Sequence, residues 1–501
     1  MSRVARFRKN TISSLVYQVL VFVSGLIIPR LFLSYYGSDV YGLVSSITSF
    51  LGFITILDLG IGAVITANFY KPLAEKNTKR INEIYKYARK FYNKLALILI
   101  LYTVALIFIY PDLVEERFDN YFIELLIAII SFSVFSQYFF AIVYTLLLRS
   151  DQKQYIAFNL NSVTLILNTI LSIILITSGF SVHIVKLSTA IIFLIRPVVL
   201  SFYVKKHYNI TNDSEVKRSP IKQKWNGIAQ HLAYLVQDKT DIIVLTLFST
   251  LGNISVYSIH YLIVSGIRSF IYASTAGFSA LAGNMIARNE IKKLKNFFEK
   301  FEWLMHTIST LLFTTTGILI VPFVKVYTKG IYDVNYIVPA FAIILSTGTA
   351  VRCFQLPYNT VVQAALHFKE TQKSAIIEPI INVLVSIILV KQLGLVGVAI
   401  GTFISISYRT IYLANYLGNN IIKIDKKNTY KLLLVDIISV IIMIALTNSI
   451  KIDSTNYFSW CLSAALILAI NVIITTIINL LFYRKNIYFV FSRIIVLLKN
   501  L

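Results

Sequence analysis

Stretches of about 20 apolar residues recur along this chain from Ile12 to Leu481, and they fix the kind of structure it can adopt. A helix needs roughly that length to cross a hydrocarbon core ~30 Å thick. Within a bilayer only helices and closed barrels satisfy every backbone N–H and C=O. The runs are continuous, whereas barrel strands would alternate polar and apolar residues. Composition agrees, with 57% hydrophobic and 14% charged residues, where soluble domains carry roughly 25% charged. The pattern predicts an all-α integral membrane protein of about fourteen transmembrane helices. They fall near 11–35, 38–70, 91–110, 121–148, 156–178, 182–204, 226–250, 254–287, 301–325, 337–366, 375–390, 395–418, 432–449 and 458–482.

A net charge of +24 would suit nucleic acid, but its placement points to topology instead. Numbering the gaps alternately, the segments on one side hold 34 of the 47 Lys+Arg, and the opposite loops hold only Arg117, Lys329, Lys391 and Lys451. This positive-inside bias predicts both termini in the cytoplasm. The basic surface then meets anionic lipid head groups rather than nucleic acid. Cys353 and Cys461 both sit in apolar surroundings and imply neither a disulfide framework nor a metal cluster. The opening MSRVARFRKN resembles a basic signal-peptide n-region, but the apolar run after it is too long, so it is expected to stay as the first span.

An internal repeat organises the chain. Tyr36-Gly-Ser-Asp-Val-Tyr-Gly42 joins the first two spans, and Leu251-Gly-Asn-Ile-Ser-Val-Tyr-Ser258 joins the seventh and eighth. Asn82-Glu83-Ile84-Tyr85-Lys86 follows span two as Asn289-Glu290-Ile291-Lys292-Lys293 follows span eight. Spans five and eleven each carry Ser-Ile-Ile-Leu, at 172–175 and 386–389, then a glycine turn and an arginine in the next span (Arg196, Arg409). Two pseudo-symmetric six-helix lobes in parallel orientation follow from this order. Their boundaries are 1–204 for the first lobe, 205–225 for a cytoplasmic linker, 226–418 for the second lobe and 419–501 for a C-terminal helix pair with a tail. The stretches 73–92 and 288–301 read as amphipathic, either lying on the membrane surface with Ile81, Ile84, Tyr85, Ala88 and Ile291, Leu294, Phe298, Phe301 turned down, or as ordinary loop helix.

Ionisable residues deep in a span are expensive and tend to face a cavity or a partner. The basic ones are Arg30, Arg196, Lys239, Arg268, Arg352 and Arg409; the acidic ones are Asp58, Asp238 and Asp241. Lys94, Lys186, Lys325, Glu378 and Asp436 fall near predicted span ends, where snorkelling to the interface explains them. Around Arg268, Tyr261, Ser265 and Tyr272 follow helical steps of three and four; around Arg352, Gln355, Asn359 and Gln363 do the same. These stripes predict a wet lining. Six basic groups against three acidic ones make it cationic, and the planar fork of arginine suits diphosphate oxygens. The three aspartates serve either charge pairing or ion coupling.

Asn10-Thr11 through Arg30-Leu-Phe-Leu33, Gly37-Ser-Asp-Val-Tyr-Gly42 and Asp58-Leu-Gly-Ile61 resemble the N-terminal stretch of polysaccharide repeat-unit flippases of the Wzx type, in the multidrug/oligosaccharidyl-lipid/polysaccharide (MOP) exporter superfamily. Asp241-Ile-Ile-Val-Leu245, followed by Gly252 and Tyr257, resembles the start of that family's second lobe. The resemblance implies a MATE-like fold of fourteen helices with a cationic central cavity. It implies a flippase of the bacterial cytoplasmic membrane that moves an undecaprenyl-diphosphate-linked oligosaccharide outward for capsule, O-antigen or exopolysaccharide assembly. Membrane lipids, a polysaccharide polymerase and other assembly proteins are the implied partners. The cavity role carries onto Arg30, Arg268 and Arg352, and also onto Lys239, Arg196 and Arg409. A lipid II or teichoic-acid precursor stays open as cargo. A MATE-like multidrug exporter would want acidic residues for organic cations, against the basic excess found here. An enzyme would place its chemistry in a sizeable outer domain, and the outer loops are short. The six histidines show no metal-ligand spacing, so no cofactor is expected.

Overall fold

The computed structural model describes residues 3–53, 61–114, 118–210, 228–275, 278–423 and 426–487. Among them the regular structure is helical, with no strand. The chain divides into two compact units, Met1–Ser255 and Val256–Leu501.

The first unit holds α1 (Arg3–Gly52), α2 (Ile61–Ala74), α3 (Thr78–Ile109), α4 (Asn120–Ser136), α5 (Ile142–Ser150), α6 (Gln154–Thr177), α7 (Val182–Tyr208) and α8 (Ile228–Phe248). A π-helical turn, Gln137–Ala141, joins α4 to α5, so the two make one crossing. α1 has 50 residues, and a straight helix of that size would be ~75 Å long, more than twice a membrane core. It breaks at Gly37, whose φ of 84° and ψ of 171° leave the helical region. Only glycine reaches that conformation cheaply. The predicted turn between the first two spans is therefore one glycine wide. Asn77 starts α3 by accepting a hydrogen bond from the Arg80 N–H at 3.0 Å, as an N-cap does.

α9 (Leu251–Thr275) leads into the second unit, which continues with α10 (Phe278–Ala287), α11 (Ile291–Tyr327), α12 (Pro339–Ala364), α13 (Phe368–Leu393), α14 (Leu395–Asn420), α15 (Lys426–Thr447) and α16 (Tyr457–Phe482). Twelve helical stretches among the described residues are long and apolar enough to span a membrane. α1 is counted once there although it breaks at Gly37, and α8, which carries Lys239 and Asp241, is not among the twelve. The chain is a multi-pass membrane protein.

Packing repeats as the sequence does. The pairings α2–α3, α2–α5, α3–α4, α4–α7 and α6–α7 in the first unit reappear as α10–α11, α10–α12, α11–α12, α12–α14 and α13–α14 in the second. Each set surrounds its own apolar core: Ile65, Phe69, Ile84, Tyr92 and Leu147 in one, Leu294, Phe298, Tyr358, Val361 and Leu413 in the other. The repeat counts α8 with the second half, whereas its packing on α1 groups it with the first. Leu101, Phe108, Phe202 and Leu481 stay exposed, as residues facing hydrocarbon should.

The amphipathic surface helices are corrected by these cores. Ile81, Ile84, Tyr85 and Ala88 belong to the first core, and Leu294 and Phe298 to the second. Both stretches run into the opening turns of long spanning helices, α3 and α11, and these apolar residues are spent on protein, while Ile291 stays exposed. The C-terminal pair meets α11 through a small apolar cluster of Val435, Met443, Ile474 and Ile478 and through polar bonds. Trp303 Nε1 donates to Asn479 Oδ1 at 2.7 Å, and Asn471 Nδ2 donates to Thr315 Oγ1 at 2.9 Å. Such side-chain bonds are common glue between membrane helices.

Candidate functional site

The α13–α14 hairpin is packed closely enough to bring charges together. A Cβ on Gly401 would run into Ser386 Oγ and lie 2.9 Å from its backbone nitrogen, so α14 touches α13 backbone-close at that level. The helices run antiparallel from the turn at Gly394. Eight residues back from Ser386 is Glu378, and eight on from Gly401 is Arg409. Two full turns on each helix thus land the pair at one height. Arg409 Nη1 lies 3.4 Å from Glu378 Oε2. α12 supplies Arg352, whose Nη2 lies 3.9 Å from Glu378 Oε1.

All three side chains are buried, with Glu378 4% exposed. One carboxylate between two guanidiniums leaves a surplus of one positive charge. Both separations fall within ion-pair range but exceed the 2.7–2.9 Å of a tight charge-assisted bond, so Glu378 gathers the two arginines and offsets part of their charge. This corrects the snorkelling reading of Glu378. α13 begins at Phe368, earlier than hydropathy suggests, which puts the carboxylate ten residues inside the helix.

On α9, Arg268 Nη2 donates to Tyr261 OH at 2.9 Å, and Tyr261 stacks on Tyr257 with ring centres 5.6 Å apart. Ser265 Oγ is turned back onto the Leu262 carbonyl at 3.2 Å, and Tyr272 is half-buried. On α12, Gln355 is buried, while Gln363 Nε2 donates to Asn359 Oδ1 at 3.2 Å. In the first unit Arg196 Nε donates to Thr164 Oγ1 at 2.7 Å, and its guanidinium lies 3.8 Å from the Phe193 ring centre. Arg30 is half-buried beside Pro29 on α1. The Lys239 methylenes pass over Gly52, where a Cβ would sit 3.2 Å from Lys239 Cε. Asp241 is buried. Asp58 lies outside the described residues, as does the side chain of Asp238. The structure thus joins Arg352 and Arg409 through Glu378, and ties Arg268 and Arg196 to hydroxyl groups.

α12 has a second working face. A groove of about 640 Å³ opens between α11, α12 and α15, walled by Phe313, Ile343, Val351, Phe354, Ile437 and Ile441. Val351 walls the groove while its neighbour Arg352 reaches Glu378. One helix therefore carries a buried cation on one side and an apolar trough on the other. Hydropathy could not show this trough, because every spanning helix presents such residues to lipid. Among the described residues no group of three or more His, Cys, Asp or Glu is placed to hold a metal ion.

No family model matches the sequence, and no curated protein matches it either. Solved structures do. A lipid II flippase MurJ in an inward closed conformation matches with a TM-score of 0.72 at 17% identity, covering 95% of this chain and 99% of that one. An inward-facing MATE family multidrug resistance transporter of the MOP superfamily matches at 0.60 and 16% identity, over 81% and 97% of the two chains. The Vibrio cholerae MATE transporter VcmN in its bent form matches at 0.57 and 13% identity, over 86% and 98%. At these identities the likeness is one of architecture: the chain has the MATE-like fold that these flippase and transporter structures share.

Proposed function

We propose that this protein is a flippase for an anionic lipid-linked sugar, with an undecaprenyl-diphosphate-linked oligosaccharide for surface polysaccharide assembly as the cargo. The observation that carries the reading is the pairing, on α12, of a positively charged buried cluster with an apolar groove. A prenyl diphosphate has two parts with opposite demands. Its diphosphate wants guanidinium forks, and its chain wants a dry trough. Arg352 and Arg409, with Arg268 on α9, are assigned to the diphosphate; the groove between α11, α12 and α15 is assigned to the chain. Arg30, Arg196 and Lys239 are assigned to the same anionic cargo from the first unit.

The protein works by exposing the head group to the two sides of the membrane in turn, in the bacterial cytoplasmic membrane with both termini inside. A membrane potential negative inside favours outward movement of an anion by about 2.3 kcal/mol per charge per 100 mV. A second cargo, lipid II or a teichoic-acid precursor, is favoured by one observation: the fold match to a lipid II flippase covers 95% of this chain. Both cargoes share the prenyl diphosphate. Mass spectrometry of the protein purified in native lipid separates them, because the sugar is read directly from the mass. A co-purified prenyl-diphosphate glycan supports the proposal, and a peptide-bearing head group selects lipid II. Retention of organic cations with no prenyl lipid would replace it with drug export.

A further inference from the structure

In the second unit a buried histidine sits where the transport reading gives it no task. His306, midway along α11, is 2% exposed, and its Nδ1 lies 2.6 Å from Asp436 Oδ2 on α15. The other carboxylate oxygen accepts a hydrogen bond from Thr310 Oγ1 at 2.9 Å. From α12, Phe354 stacks on the imidazole with ring centres 4.2 Å apart and planes 3° from parallel. His306 Nε2 is buried and has no hydrogen-bond partner among the described residues. Thr310, Phe354 and Asp436 also wall the apolar groove. Asp436 is thus an interior acid, not one that snorkels to the interface.

A nitrogen and a carboxylate oxygen at 2.6 Å must hold a proton between them, since two lone pairs would repel. With Nδ1 committed in this way, Nε2 is the atom that gains or loses the next proton. When the ring is neutral, the Asp436 carboxylate is a net negative charge on an apolar wall. Charge without compensation in such a place is costly and draws in water. One more proton makes the pair neutral overall. Proton occupancy therefore decides whether the wall of the groove is electrically quiet.

We propose that His306 and Asp436 form a proton-binding site whose occupancy holds α15 against α11 and α12, and so sets the width of the groove. With the proton bound, α15 stays docked and the groove is dry. When the proton leaves Nε2 for water, the carboxylate hydrates and α15 moves away from α11; no other bond is made or broken. The titratable neighbours are few. Glu302, one turn earlier on α11, accepts from Tyr358 of α12 at 2.5 Å and from Thr429 of α15 at 3.0 Å. Tyr483, beyond α16, lies with its ring centre 5.1 Å from Lys431 Nζ of α15. Arg352 of α12 is drawn to Glu378 of α13. α16 presents uncharged Asn471, Thr475 and Asn479 to this side of α11 and α15.

This goes beyond the cargo assignment, and its test needs no cargo. The full chain is placed in lipid nanodiscs with ¹⁵N-histidine, and the imidazole signals are followed by NMR from acid to alkaline pH. His306→Gln identifies the His306 signal by its loss. In parallel, spin labels on Ile343→Cys and Ile441→Cys, in a Cys461→Ser background, report the distance across the groove between α12 and α15. The expected result is that the distance lengthens as the His306 ring loses its proton, with one shared midpoint. Asp436→Asn removes the carboxylate whose hydration drives the movement, so in this variant the distance should no longer lengthen as the His306 ring loses its proton. His306→Gln should abolish the pH dependence of the distance. A wild-type distance that stays constant while His306 titrates overturns the proposal, as does a pH-dependent distance that survives in both variants. Should His306→Gln fail to fold, the wild-type and Asp436→Asn titrations decide between the same two outcomes. Failed flipping of a prenyl-linked glycan would sink the transport reading and leave these measurements standing.

Discussion

Glu378 shows how one side chain organises a site that its neighbours only populate. Removing its charge leaves Arg352 and Arg409 buried close together without the carboxylate they share. Breaking a buried pair in this way costs about 3–5 kcal/mol. Glu378→Gln should therefore lower the midpoint of thermal unfolding in detergent, and it should cost more than Arg352→Ala, which leaves the carboxylate one partner. In a double-mutant cycle Arg352 and Glu378 should couple by about 0.5–3 kcal/mol; simple additivity would mean the 3.9 Å contact is idle. The basic members of this cluster were legible in the sequence, because an arginine inside an apolar run stands out. Glu378 and Asp436 were not. Hydropathy blurs the ends of a helix whose first turns are amphipathic, and a carboxylate near an apparent end looks like an interfacial one. The pairing of His306 with Asp436 spans 130 positions and leaves no local mark.

Among the helices, close approach is decided by a few glycines whose spacing was visible but whose purpose was not. Gly37 and Gly42 both lie in the turn motif of the internal repeat, and the structure gives them different work. Gly37 takes the kink, while a Cβ on Gly42 would run into the Leu251 carbonyl oxygen. Gly401 plays the same part between α13 and α14. Gly42→Ala and Gly401→Ala should each destabilise by about 1–3 kcal/mol, the usual cost of overpacking. Gly317→Ala in α11 has open space around its new methyl and should be neutral or stabilising by up to about 1 kcal/mol, as for an ordinary helical glycine. Chemical denaturation of the three variants in one detergent gives the ranking; equal effects would contradict the packing described. The amphipathic stretches misled for a related reason. An apolar stripe states that it will be covered, and periodicity does not say whether by lipid or by another helix.

Across the whole molecule, the multi-span helical plan was readable because a bilayer imposes a one-dimensional rule on the chain: apolar for the length of a crossing, then charged. The pseudo-symmetry was readable from repeated turns, and the repeated helix pairings give it a physical form. The charge bias makes a prediction at this scale. Single cysteines replacing Asp333 or Asp453 should react with an impermeant maleimide added to intact cells, and cysteines replacing Lys76 or Glu290 should react only after lysis. The reverse pattern would invert the topology and, with it, the direction of transport.

Transport of an anionic prenyl-linked head group through the Arg352–Glu378–Arg409 cluster is the central claim, and flipping in proteoliposomes tests it most directly. A fluorescent undecaprenyl-diphosphate glycan in the inner leaflet is followed by external quenching, with wild type, Arg352→Ala and Arg409→Ala reconstituted to equal density. Quenching beyond half of the dye is the predicted result for wild type, with a loss of at least about tenfold in rate, or 1.4 kcal/mol, for each arginine variant. Equal rates in all three, or no flipping by any, would contradict the account.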